Sequence, residues 1–86
     1  MYYVYILKSL KDSKLYVGYA DNLKERFKKH QDGKVQSTKS RRFFKLIYYE
    51  ACLAEKDARK REKFLKTGWG RNYIKKNLKS TLLVDN

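Results

Sequence analysis

The 86 residues predict an α+β domain, a three-stranded antiparallel sheet with packed helices in the order ββαβαα. Three observations carry this. Two short runs rich in aromatic and β-branched residues stand close together at the start, too tightly joined for a crossover helix, so their pairing is antiparallel. A third such run lies mid-chain, and each of the later segments that follow has helical periodicity or a capping pattern.

Residues 2–8 (YYVYILK) predict the first strand and residues 14–19 (KLYVGY) the second, joined through turn-forming Lys11-Asp12-Ser13 as a β-hairpin. Asn22 stands three residues before Glu25 in a capping arrangement, and the helix it opens runs to about Gln31, closed by Asp32-Gly33. Residues 34–42 (KVQSTKSRR) are basic and unpatterned, which predicts a surface loop. The third strand covers residues 43–51, and a helix over residues 55–67 ends at Gly68. Gly70 marks a break before a last helix over residues 71–79, with Tyr73, Ile74 and Leu78 on its apolar side. No repeat or linker divides the chain, so residues 1–80 are expected to form one domain and residues 81–86 a tail.

Composition narrows the function. Twenty-two Lys and Arg against nine Asp and Glu leave a net charge of +13, a field that attracts polyanions. Nucleic acid is the expected partner, although charge alone does not separate binding from cutting. A single cysteine, Cys52, excludes an internal disulfide and fits a reducing cytoplasmic setting. One Cys and one His do not make a structural zinc site, and no run approaches the roughly 20 apolar residues of a membrane span. Residues 1–9 (MYYVYILKS) lack the charged region and cleavage pattern of a secretion signal.

Tyr3-Val4-Tyr5 in the first strand and Tyr16-Val17-Gly18 in the second are modified forms of two tripeptides, followed in order by Arg26, His30 and Glu62. This series, spanning nearly the whole chain, resembles the GIY-YIG nuclease family. The run REKFLKTGWGR at residues 61–71 makes it most similar to the small stand-alone bacterial members, which are also similar to the N-terminal nuclease domain of the excision-repair incision subunit. The resemblance implies a metal-dependent endonuclease acting on DNA, possessing the GIY-YIG fold and using one divalent ion, Mg²⁺ or Mn²⁺. Its implied catalytic residues are Tyr5, Tyr16, Arg26, His30 and Glu62, with Glu62 as the metal ligand. Tyr3 replaces the glycine of the first tripeptide, and Tyr19 stands where some relatives have lysine.

Each assignment has a physical side and a competing one. Strand alternation puts Tyr3 and Tyr5 on one face and Tyr16 and Gly18 on one face, so pairing can unite Tyr5 with Tyr16, while eight tyrosines make plain sheet packing the alternative. The resemblance gives Tyr16 the activation of water and Tyr5 the positioning of nucleophile or phosphate. A free phenol ionises near ~10, so such a role needs neighbouring cations. Leu23, Phe27 and His30 form one helix stripe with Arg26 at its edge, which aims a phosphate-gripping guanidinium at the sheet. His30 also reads as a packing histidine at a helix end. Glu62 is spaced to pair with Lys66, as Glu55 is with Arg59 and Asp57 with Arg61, yet it lies beside the stripe of Ala54, Ala58 and Leu65. A single carboxylate suffices for Mg²⁺, which keeps most of its waters.

Thr38, Lys39, Arg41 and Arg42 in the basic loop are expected to grip the nucleic-acid backbone, with a solvated loop as the alternative. Asn72, favoured over Asn77, is expected beside them as the counterpart of an asparagine that follows the glutamate in many relatives. Trp69, flanked by two glycines, reads as core packing ahead of base stacking, and Cys52 as a small buried residue. The rival function from another class is a non-catalytic nucleic-acid-binding module with the same fold and charge.

Overall fold

The computed structural model describes residues 1–83. Strands β1 (Tyr2–Ser9) and β2 (Leu15–Ala20) form the expected hairpin, with Tyr5 opposite Gly18 and Leu7 opposite Tyr16. Ser9 organises the turn: its buried Oγ accepts from the Lys11 and Asp12 amides at 3.1 and 3.3 Å and donates to the Arg41 carbonyl at 2.6 Å. Strand β3 (Phe44–Cys52) pairs antiparallel with the other side of β1, giving the order β2-β1-β3. Phe43, expected to open this strand, is exposed and lies outside it.

Helix α1 (Leu23–Gln31) starts as its capping pattern predicts: Asn22 Oδ1 accepts from the Glu25 amide at 3.1 Å. Gly33 ends it at φ 72°, the left-handed conformation that glycine adopts freely. Helix α2 spans Glu55–Leu65, α3 Gly68–Asn77, and a short α4 Lys79–Leu82. Two boundaries therefore differ from expectation. Thr67 does not extend α2 but caps α3, its Oγ1 accepting from the Gly70 amide at 3.1 Å. Gly70 is no break; a Cβ there would collide with the Phe64 carbonyl and the Leu65 backbone, so it is the point where α3 packs onto the end of α2. Helix α4 runs past the expected start of the tail at residue 81; the rest of that tail, from residue 84, lies outside the described residues.

The sheet is the middle of three layers. Val4, Ile6 and Val17 face Ala58, Leu65 and Ile74 of α2 and α3, while Tyr5, Leu7, Ala20 and Phe44 pack with Leu23 and Phe27 of α1. Val4 to Leu7 are thus all buried, because the alternate residues of β1 enter two different cores. Arg61 corrects one expected helix pair: it reaches Glu50 on β3 at 3.1 Å rather than Asp57. Trp69 is 81% exposed and not part of the core, and Cys52 is half-buried at the core margin.

Candidate active site

Tyr5 points from the central strand toward α1, and its ring lies over Gly18 on the paired strand. A Cβ at Gly18 would overlap the phenol ring and its hydroxyl, so the glycine is the gap that admits Tyr5. The ring of Tyr16 lies 6.4 Å from that of Tyr5 and 5.1 Å from His30. Strand pairing and the α1 stripe therefore bring Tyr5, Tyr16, Arg26 and His30 together, as their spacing predicts.

Three buried side chains form a relay. Tyr5 Oη and His30 Nε2 are 2.8 Å apart, His30 Nδ1 and Thr38 Oγ1 are 2.8 Å apart, and Thr38 Oγ1 lies 3.5 Å from the Val35 carbonyl. The assignment that satisfies every group has Thr38 donating to Val35, Nδ1–H donating to Thr38, and the Tyr5 hydroxyl donating to Nε2. Burial pushes the Tyr5 phenol up to about 12, against the pull of the hydrogen-bonding Arg26 cation. Burial, reinforced by Arg26, pushes His30 down to about 4. At neutral pH both groups are uncharged and the proton stays on Tyr5. Arg26 is held more firmly cationic by the Tyr5 hydroxyl, and its Nε is buried with no partner.

A cleft of about 490 Å³ opens in front of this cluster. Tyr16, Arg26 and Glu62 line it; Tyr5 and His30 are fully buried and do not. The two therefore stand behind the cleft wall, His30 against the Tyr16 ring and Tyr5 against Arg26. Helices α1 and α2 lie on opposite faces of the sheet, and both reach the cleft across the free edge of β2. The Glu62 side chain is only 18% exposed and pairs with Lys66 at 3.0 Å, while Lys66 Nζ stands 5.8 Å from the centre of the Tyr16 ring.

Glu55 and Arg59 form a further wall that sequence reasoning treated only as a helix pair. Glu55 accepts from Tyr19 at 2.9 Å and from Arg59 at 3.3 Å, with the Arg59 guanidinium 4.0 Å over the Tyr19 ring. The signal was present: residues 55, 59 and 62 of α2 and Lys66 at its C-cap follow helical spacing along one face. Among the described residues no group of three or more His, Cys, Asp or Glu could hold a metal. Glu62 still suits a hard cation that retains its waters, since its carboxylate faces the cleft and its ammonium partner is displaceable.

The expected backbone-gripping residues lie elsewhere. Thr38 is fully buried against His30, so it cannot contact a phosphate, because its hydroxyl is spent orienting the imidazole. Residues Lys39–Arg41 form a 3₁₀ turn within the expected surface loop, with Val35 and Thr38 beneath as anchors. Lys39 is exposed, Arg41 is tied to Asp12 at 3.3 Å, and Arg42 lies over Phe43 at 5.3 Å. Asn72 is exposed on α3, beside Trp69 and apart from the cleft.

The family model described as the GIY-YIG catalytic domain matches residues 1–79. Similar proteins include a UPF0213 protein of Clostridium perfringens, 42% identical over 77% of this chain and 71% of the relative. Another, from Staphylococcus saprophyticus, is 42% identical over 77% of this chain and 80% of its own length. A UPF0213 protein of Bacillus pumilus is 37% identical over 81% and 70% respectively. No solved structure matches closely enough to add to these. No helix among the described residues is long and apolar enough to cross a membrane. Because that catalytic-domain model spans the strands of Tyr5 and Tyr16 and every element that builds the cleft, the chain belongs to the GIY-YIG family of nucleases, which act on nucleic acid.

Proposed function

We propose that this protein is a metal-dependent endonuclease that hydrolyses DNA phosphodiester bonds, at branched or flapped structures of the kind formed in repair and recombination. The observation that carries the reading is the meeting of Tyr16, Arg26 and Glu62 in one cleft, backed by a neutral Tyr5–His30 pair. Arg26 grips the phosphate with its guanidinium fork and stabilises the charge that grows on the phosphoryl oxygens. Tyr16 presents a hydroxyl to the cleft; its oxygen accepts a hydrogen bond from the attacking water and orients it toward the phosphorus, the water's proton passing to solvent as the bond to the leaving oxygen breaks. Tyr5 cannot take that part, since it is fully buried and its hydroxyl is bonded to His30. Instead it fixes Arg26 from behind. Glu62 is the residue that would hold Mg²⁺ or Mn²⁺, which when bound supplies charge neutralisation at the phosphate and leaving oxygen. The lone, half-buried Cys52 supports a reducing cytoplasmic location.

Supercoiled plasmid and branched DNA, incubated with and without Mg²⁺ or Mn²⁺, test the proposal. Nicking that requires the metal is expected. A protein that binds these substrates but cuts none would instead be a nucleic-acid-binding module.

A further inference from the structure

We propose that a groove next to the catalytic cleft, ending at Trp69, is a second nucleic-acid site that holds an unpaired strand running on from the reacting phosphate. The inference rests on the nuclease reading only for where that phosphate lies. Tyr16 lines both the cleft and a neighbouring groove of about 590 Å³, so the two adjoin on either side of this residue. Lys14, Lys66, Arg71 and Lys75 line the groove over an apolar floor that includes Leu65 and Ile74. Arg71 and Lys75 also border the adjoining depression that carries Trp69. Among the described residues no carboxylate lines either space. Lys14, Arg71 and Lys75 form no ion pair among the described residues. A row of uncompensated cations beside a phosphate site is complementary to a continuing phosphate chain, and it repels a second copy of this +13 protein.

Trp69 decides the form of the strand. Its indole is 81% exposed, yet its backbone is fixed: Thr67 Oγ1 donates to the Phe64 carbonyl at 2.6 Å and accepts from Gly70, whose lack of a side chain lets α3 close on α2. An indole carried on a fixed backbone and open to solvent is a stacking platform for a base. Inside a duplex each base face is covered by its neighbours, so away from a duplex end only an unpaired base can lie on Trp69.

Trp69 is the only tryptophan in the chain, so its emission reports on the site directly. With chelator present to prevent cleavage, the protein is titrated with a single-stranded DNA of about 12 nucleotides. A blunt duplex of the same sequence and polyglutamate serve as comparisons. Saturable quenching by the single strand alone is expected. Anisotropy of the labelled strand should show binding weakened about tenfold by Trp69→Ala and largely restored by Trp69→Phe. The double substitution Arg71→Ala with Lys75→Ala should reduce the slope of log affinity against log salt by about 1.4. Binding without quenching, equal quenching by duplex or polyglutamate, or parental affinity in Trp69→Ala overturns the proposal. Metal-dependent nicking without quenching would sink the groove and leave the nuclease, whereas quenching in a protein that cuts nothing would sink the nuclease and leave the groove.

Discussion

Glu62 has two partners in prospect, Lys66 in the structure and a metal in the proposed reaction, and Glu62→Gln separates them. The variant should fold, lose only about 0.2–0.5 kcal/mol from the helix pair, and bind DNA at least as well as the parent. Metal-dependent nicking should disappear; a nicking time course at equal DNA occupancy checks this, and undiminished nicking would falsify the metal-ligand role. Arg26→Lys keeps the charge and loses the planar fork, so near-parental binding with strongly slowed cutting is expected in the same assay. Parental rates would reduce Arg26 to a simple cation. His30 predicts a pH dependence. Its folded value, about 4, lies below the ordinary 6.5, so the unfolded chain binds the extra proton between those values. Stability from this group is complete above pH 6.5 and is lost as pH falls toward 4, by on the order of 3 kcal/mol. Melting temperature should drop through that window in the parent and flatten in His30→Gln; a parental curve unchanged from pH 6.5 to 4 would contradict it. The Arg26 and His30 placements were legible because helix periodicity fixes which side of α1 faces the sheet. The role of Thr38 was not, since nothing in the polar run of residues 34–42 signals that its hydroxyl folds inward to an imidazole eight residues back.

The elements themselves follow from local rules where those rules agree. Aromatic and β-branched runs wrote β1 and β2, and Asn22 with Glu25 wrote the start of α1. They failed at the α2–α3 joint, where Thr67-Gly68-Trp69-Gly70 carries a stop signal and a start signal at once. Glycine after a helix usually ends it, but here Thr67 caps the next one and tertiary contact consumes Gly70. This gives a matched pair of tests. Gly70→Ala should destabilise by about 1–3 kcal/mol, because the new methyl meets backbone that cannot move aside. Gly68→Ala adds its methyl in open space within a helix and should be neutral or stabilising by up to about 1 kcal/mol. Urea midpoints compare the two; equal shifts would mean the joint is not close-packed.

Charge acts at the scale of the whole molecule. Net +13 on a body of 12.5 Å radius of gyration should give backbone-dominated DNA affinity with slight sequence preference. Log affinity should fall with log salt at about 0.9 per duplex phosphate contacted, and a flat salt dependence would remove the electrostatic basis of binding. The order of elements and the antiparallel sheet were legible in the sequence. The cleft was legible only as a set of residues, because joining α1 to α2 across the β2 edge depends on register and layer packing that local patterns do not encode. Strand β1, bonded to neighbours on both sides and covered on both faces, has a further consequence for amide hydrogen exchange. No partial opening of one layer uncovers it, so the Val4 to Leu7 amides in deuterium oxide should exchange only when the entire chain unfolds, and their slowest rate gives the global free energy of folding without any denaturant.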